Sequence, residues 1–220
     1  MGSCRHSTGS GHIVTEKRKT GNFTGISAGE GFDVEVRMGT VTEVTVESDD
    51  NVIRHIETEV SGDDLKIRLA RNRSFSDAHL RVYITMPVLL RIRSSSDANV
   101  TVNDIITSKE RLSFKASSSG EITADVEAPE IQVEASSGAT IKLNGRTMNY
   151  TASASSGASI RTTDLLSENT TVTASSGASV QVHASVRLKA SASSGADIHY
   201  HGAASVEKTL SSGGRVTKGR

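Results

Sequence analysis

From residue 12 onward, apolar and polar residues alternate in short runs with a period of two. That is the pattern of half-buried strands, not the 3.6-residue period of a helix. Phe32, Val34 and Val36 share one face; so do Val44 and Val46, Leu65, Ile67 and Leu69, and Leu80, Val82, Ile84 and Met86. The runs Asp49-Asp50-Asn51 and Ser61-Gly62-Asp63-Asp64 read as turns between these strands. A short helix over residues 51–56 is the one helical element compatible with the pattern.

In the second half the alternation acquires a repeat. Ala-Ser-Ser-Gly-Ala-x-Ile/Val recurs at 135–141, 154–160, 174–180 and 192–198, with a weaker copy at 210–216. Two earlier copies, 94–100 and 116–122, keep the six-residue separation from the small residue to the β-branched one, although the glycine moves or gives way to Asp97. The closing residues stand at 100, 122, 141, 160, 180, 198 and 216, a period near nineteen. A flexible Gly/Ser linker would not keep Ile and Val in phase with Ala.

Each unit holds two short strands around a tight bend plus a loop or third strand, and none can bury its apolar face alone. Stacking supplies the burial. The expected fold is all-β, a right-handed parallel β-helix (β-solenoid) of about seven coils, roughly 30 Å long at about 4.8 Å per paired strand. Ala116, Ala135, Ala154, Ala174 and Ala192 then form a column in a narrow interior. Gly120, Gly138, Gly157, Gly177, Gly195 and Gly213 fall at the bends, where glycine supplies positive φ and serine hydroxyls can bond locally or between rungs.

Three segments are expected: residues 1–11 as a flexible leader, 12–93 as a β-strand region that caps the solenoid and shares its core, and 94–220 as the coils. Lys208, where earlier copies carry Val or Ala, and the terminal Arg215, Lys218 and Arg220 read as protection of the other open end.

Composition agrees with an interior of small side chains. The 220 residues are 35% hydrophobic and 23% charged, with 19 Gly, two Pro, four Phe, three Tyr and no Trp. Twenty-five basic residues balance 25 acidic ones, so no net field recruits nucleic acid or an anionic membrane. A single cysteine excludes an internal disulfide and multi-cysteine zinc sites. No apolar run approaches the roughly 20 residues of a membrane-spanning helix.

Gly2-Ser3-Cys4 suits the end of a bacterial lipoprotein box, with Cys4 as the candidate lipid anchor. The apolar signal core that precedes such a box is absent, so this reading requires a chain whose leader has been removed. The alternative is a free cysteine in a polar tail. Myristoylation of Gly2 fails, because position 6 is His6 and not Ser or Thr.

Several stretches together carry a resemblance: Gly31-Phe32-Asp33-Val34-Glu35-Val36, Val44-Thr45-Val46, Leu65-Lys66-Ile67, and Tyr83-Ile84-Thr85-Met86-Pro87 leading into Ser95-Ser96-Asp97 and the Ser-Ser-Gly-Ala turns. Over residues 12–220 the chain resembles the family named "putative auto-transporter adhesin, head GIN domain". The resemblance implies a β-helical envelope or secreted protein of Bacteroidetes-type bacteria, often with a lipoprotein-like leader, and a role in cell adhesion. It implies no catalytic residues and no cofactor.

The residues themselves offer little catalytic chemistry. Polysaccharide lyases and hydrolases on β-helices need clustered carboxylates. Here Asp164 and Asp197 sit at different offsets from their turns, and Glu121, Asp125, Glu127 and Glu130 belong to one early coil. That group could hold calcium through oxygens; the alternative is a solvated polar face. No serine stands in a Gly-x-Ser-x-Gly elbow with an evident His and Asp partner. His183 and His201, eighteen residues apart, should stack one rung apart with His199 on the same outward side. These three imidazoles are a candidate zinc, nickel or copper patch lacking an evident fourth ligand; the alternative is an exposed cluster near the C-terminal cap.

The expected function is therefore non-enzymatic. A cell-envelope or secreted rod would meet glycans or surface proteins through a flat Ser/Thr-rich surface, touch a membrane only through a lipid anchor, and could form a homo-oligomer end to end or side by side. A carbohydrate-active enzyme on the same scaffold is the alternative.

Overall fold

The computed structural model describes residues 5–219. Cys4 and Arg220 lie outside the described residues. The chain winds into stacked parallel coils, each with a leading side that runs into a tight turn, a trailing side that leaves it, and a shorter third side that closes the coil. The leading sides include Arg91–Ser94, Leu112–Ala116 and Arg187–Ala192; the trailing sides include Asn99–Val102, Ser159–Thr162, Ser179–His183 and Asp197–His201. In the middle of the rod the strands Glu121–Ala135 and Thr140–Ala154 run through all three sides and pair with each other in parallel along nearly their whole length.

The alternation read from the sequence becomes columns. Ala116, Ala135, Ala154, Ala174 and Ala192 are register partners from coil to coil, and all are buried. Beyond the turn, Val100, Ile122, Ile141, Ile160, Val180, Ile198 and Val216 form a second buried column. Ile106, Val126 and Leu165 fill the third side. Methyl-sized residues beside the turn let the leading and trailing sides approach closely, while β-branched residues suit the pleated surface opposite.

Each turn places two residues at positive φ. At Ser137 and Gly138 the values are 53° and 73°, and the Ala139 N–H donates back to the Ser136 carbonyl at 3.2 Å. Two consecutive positive φ values mark the type I′ turn, whose twist matches that of the flanking strands. Gly157, Gly177, Gly195 and Gly213 occupy the same place as Gly138.

Gly120 does not. In that coil Ser118 and Ser119 take the two positive-φ positions, at 49° and 63°, and Gly120 stands one place later, in register with Ala139. Its value there is space, since a Cβ would lie 2.6 Å from the Ser94 carbonyl oxygen. The serine hydroxyls also behave differently from expectation. Backbone groups tie one turn to the next, Gly138 N–H to Ser156 O at 3.1 Å and Gly157 N–H to Ser176 O at 3.0 Å. Ser137, Ser156, Ser176 and Ser194 point to solvent.

The ladder also extends ahead of the repeat region. Gly25–Ala28 pairs in parallel with Arg91–Ser94, and Asp33–Met38 with Asn99–Val102, around a turn of the same kind at Glu30 (φ 58°) and Gly31 (φ 75°). This coil is sandwiched, because Asp64–Leu69 and Leu80–Met86 pair with its other edge. Glu43–Asp49 lies antiparallel between Leu80–Met86 and Ile13–Arg18, and Ile56–Ser61 forms a hairpin with Asp64–Leu69. One continuous core joins this cap to the coils. Residues 51–56 hold a single 3-10 turn, Ile53–His55, and not a longer helix. Arg5–Thr8 forms a strand parallel to Arg73–Ser76.

Candidate functional site: the leading face and its neighbours

Outward residues of the leading sides line up as strictly as the inward ones. One column reads Glu134, Ser153, Thr173, Ser191 and Thr209; a second, two residues earlier, reads Gln132, Thr151, Thr171, Lys189 and Glu207. Thr151, Ser153, Thr171, Thr173 and Thr209 are exposed. Hydroxyls therefore stand about 4.8 Å apart along the rod and roughly 6.6 Å apart across it.

The acidic residues of the early coil serve the ladder. Glu127 pairs with Arg146 at 3.1 Å, Glu130 with Arg111 at 2.9 Å, and Asp125 accepts from Asn144 at 2.8 Å. Lys115 and Glu134 pair likewise at 2.8 Å. Each contact joins adjacent coils, and being partly exposed each adds little stability individually.

His183 and His201 are register partners, as their spacing predicts. His199 faces outward on the same strand, but its partner is Gln181, and its Nδ1 lies 2.7 Å from the Thr217 hydroxyl. His183 Nδ1 is buried without a partner. Among the described residues, no group of three or more His, Cys, Asp or Glu side chains is placed to hold a metal ion. Cys4, the candidate anchor, lies outside the described residues.

What sequence reasoning missed is a set of hydroxyls pointing inward. Thr162 bonds the Gln181 carbonyl at 2.9 Å and the Tyr150 hydroxyl at 3.2 Å. A hydroxyl has one proton and a carbonyl only accepts, so Thr162 donates to Gln181 and receives from Tyr150. Burial pushes the Tyr150 phenol well above its ordinary pKa. Nearby, Ser167 Oγ lies 2.5 Å from both Thr170 Oγ1 and the His183 carbonyl oxygen. Ser and Thr sit at inward phase here, at 162, 167 and 170, and that phase was the available signal.

A parallel β-solenoid whose first coil is covered by a cap of mixed parallel and antiparallel strands, and whose sides carry regular polar columns, is the class these features define. The family described as "Putative auto-transporter adhesin, head GIN domain" matches residues 22–204, and the chain belongs to it. Among solved structures, the chain is similar to a putative adhesin from Bacteroides fragilis, with 18% identity, a TM-score of 0.87 and coverage of 96% of this chain and 98% of that one. A putative adhesin from Parabacteroides distasonis shares 20% identity over 98% of this chain and 100% of its own, with a TM-score of 0.77. A protein from the same species named as a putative lipid binding protein shares 16% over 98% and 100%, with a TM-score of 0.83. At these identities the likeness is one of fold. No curated protein sequence matches the chain.

Proposed function

We propose that this chain is a non-enzymatic adhesin of the cell envelope that holds a glycan or protein partner on its leading face. The observation that carries this reading is the register of Ser153, Thr173, Ser191 and Thr209, alongside Thr151 and Thr171. A flat row of hydroxyls at fixed spacing offers many weak hydrogen bonds to an extended partner, and repetition along the rod converts weak contacts into avidity. Membership of the adhesin family agrees with this role. Lipidation at Cys4 would present the rod at a membrane surface, and end-to-end association of rods would multiply the display. The test is a panel of glycans and matrix proteins probed with the purified protein. Saturable binding to a member of the panel supports the reading; a blank panel removes it.

A further inference from the structure

The third side of the coils carries a groove that the adhesive face does not use. Its floor is a run of small residues on successive coils, Ala128, Thr147 and Ser167, in register with one another. Outward residues on either side of that run make its walls, enclosing a groove of about 640 Å³ along the rod axis. Met148 and Leu166, 53% and 56% exposed, form the apolar part of those walls together with Pro129. Exposed Val186 stands on the next coil, where its N–H donates to the Glu168 carbonyl. Exposed apolar side chains on both walls of one groove mark a candidate binding surface.

The chemistry narrows what that occupant is. The strand through the middle of the groove, at 145–149, is hydrogen-bonded to neighbours on both edges, at 126–130 and at 165–169, so an extended peptide finds no free backbone edge there to pair with. No Phe, Tyr or Trp lines the groove, so a sugar ring finds no stacking platform. The apolar side chains of Pro129, Met148 and Leu166 on this open groove suit an alkyl chain laid along it. At the rim the Arg146 guanidinium is already paired with Glu127, whereas the Glu168 carboxylate has no ion-pair partner among the described residues. The uncompensated charge is negative and disfavours an anionic head group.

We infer that this groove binds the alkyl chain of an amphiphile whose head group is cationic, with Met148 and Leu166 holding the chain and Glu168 selecting the head. Titration calorimetry with dodecyltrimethylammonium, below the concentration at which it forms micelles, tests this on the whole chain. One saturable site is expected, with no binding of tetramethylammonium and at least about tenfold weaker binding of dodecanoate. Met148→Asp and Leu166→Asp should each weaken binding about tenfold. Both side chains are more than half exposed, so the melting temperature should stay unchanged. Glu168→Gln should erase the preference over dodecanoate. Thr171→Glu on the leading face should leave the affinity unchanged, which separates this site from the adhesive one. Absence of saturable binding, equal binding of dodecanoate by the unaltered protein, or indifference to both aspartate substitutions would overturn the inference.

Discussion

The hydroxyl of Tyr150 meets the hydroxyl of Thr162 at 3.2 Å inside the rod, where both side chains are shielded from water. Removing one end of this pair differs from removing the other. Tyr150→Phe takes away only a donor, leaving Thr162 its bond to the Gln181 carbonyl, and should cost about 0.5–1.5 kcal/mol. Thr162→Val strands the buried phenol without its acceptor, and should cost about 1–3 kcal/mol or more. Urea unfolding of the two variants checks the order; a costlier Tyr150→Phe would contradict the assigned direction of donation.

The alanine column sets the width of the interior. Ala154 is 2% exposed and stacked between Ala135 and Ala174. Ala154→Leu forces extra methylenes into that space and should destabilise by at least about 1–3 kcal/mol. Ser153→Leu, one residue away and pointing to solvent, should stay within about 0.5 kcal/mol of the unaltered protein. Thermal unfolding of the pair measures how narrow the coil is.

The turns give a graded test of backbone conformation. Gly157 has φ of 72° and open space where a Cβ would go, so Gly157→Ala should cost roughly 1 kcal/mol from conformation alone. Gly145 has φ of 120°, and its Cβ would collide with the Val126 carbonyl oxygen on the adjacent coil. Gly145→Ala should therefore cost clearly more. Equal losses would show that steric contact between coils contributes nothing.

Acid should loosen the cap before the coils. Asp49 is buried at 1% exposure. Its carboxylate accepts from the Gly11 N–H at 2.7 Å and the His79 N–H at 2.8 Å. Burial raises its pKa, but the backbone donors of His79, Gly11 and its own residue outweigh that and hold it below the ordinary carboxylate value. A folded pKa depressed in this way gives stability that is complete above the unfolded value of about 3.9 and lost as pH falls through the folded one. Asp49→Asn should be less stable near pH 7 and show a shallower loss of stability below about pH 4. A variant with an unchanged acid profile would contradict this.

The solenoid was legible because its signals are local. Two-residue alternation fixes strands, and Ala, Gly and Ile held six or fewer residues apart fix the turn and its phase. The first coil escaped because Gly29-Glu30-Gly31-Phe32 reaches the same turn geometry without the Ser-Ser-Gly-Ala spelling. Gly120 misled because the residue type marks a turn without saying which of its positions needs positive φ. Thr162, Ser167 and Thr170 escaped because a hydroxyl residue reads as outward, and only the ladder reveals the carbonyl that satisfies it. The cap pairings of Glu43–Asp49 with Leu80–Met86 join strands more than thirty residues apart, beyond any local pattern.

The adhesive reading turns on which side of the rod meets the partner. Ser153→Glu with Thr173→Glu places charge on adjacent coils of the leading face; Ser159→Glu with Ser179→Glu places the same charge on adjacent coils of the trailing face. With a glycan or matrix protein that the unaltered chain binds, surface plasmon resonance should show at least a tenfold loss for the first pair, from repulsion and lost hydrogen bonds, and little change for the second. Equal losses, or a loss confined to the trailing face, would contradict a partner held by the hydroxyl rows.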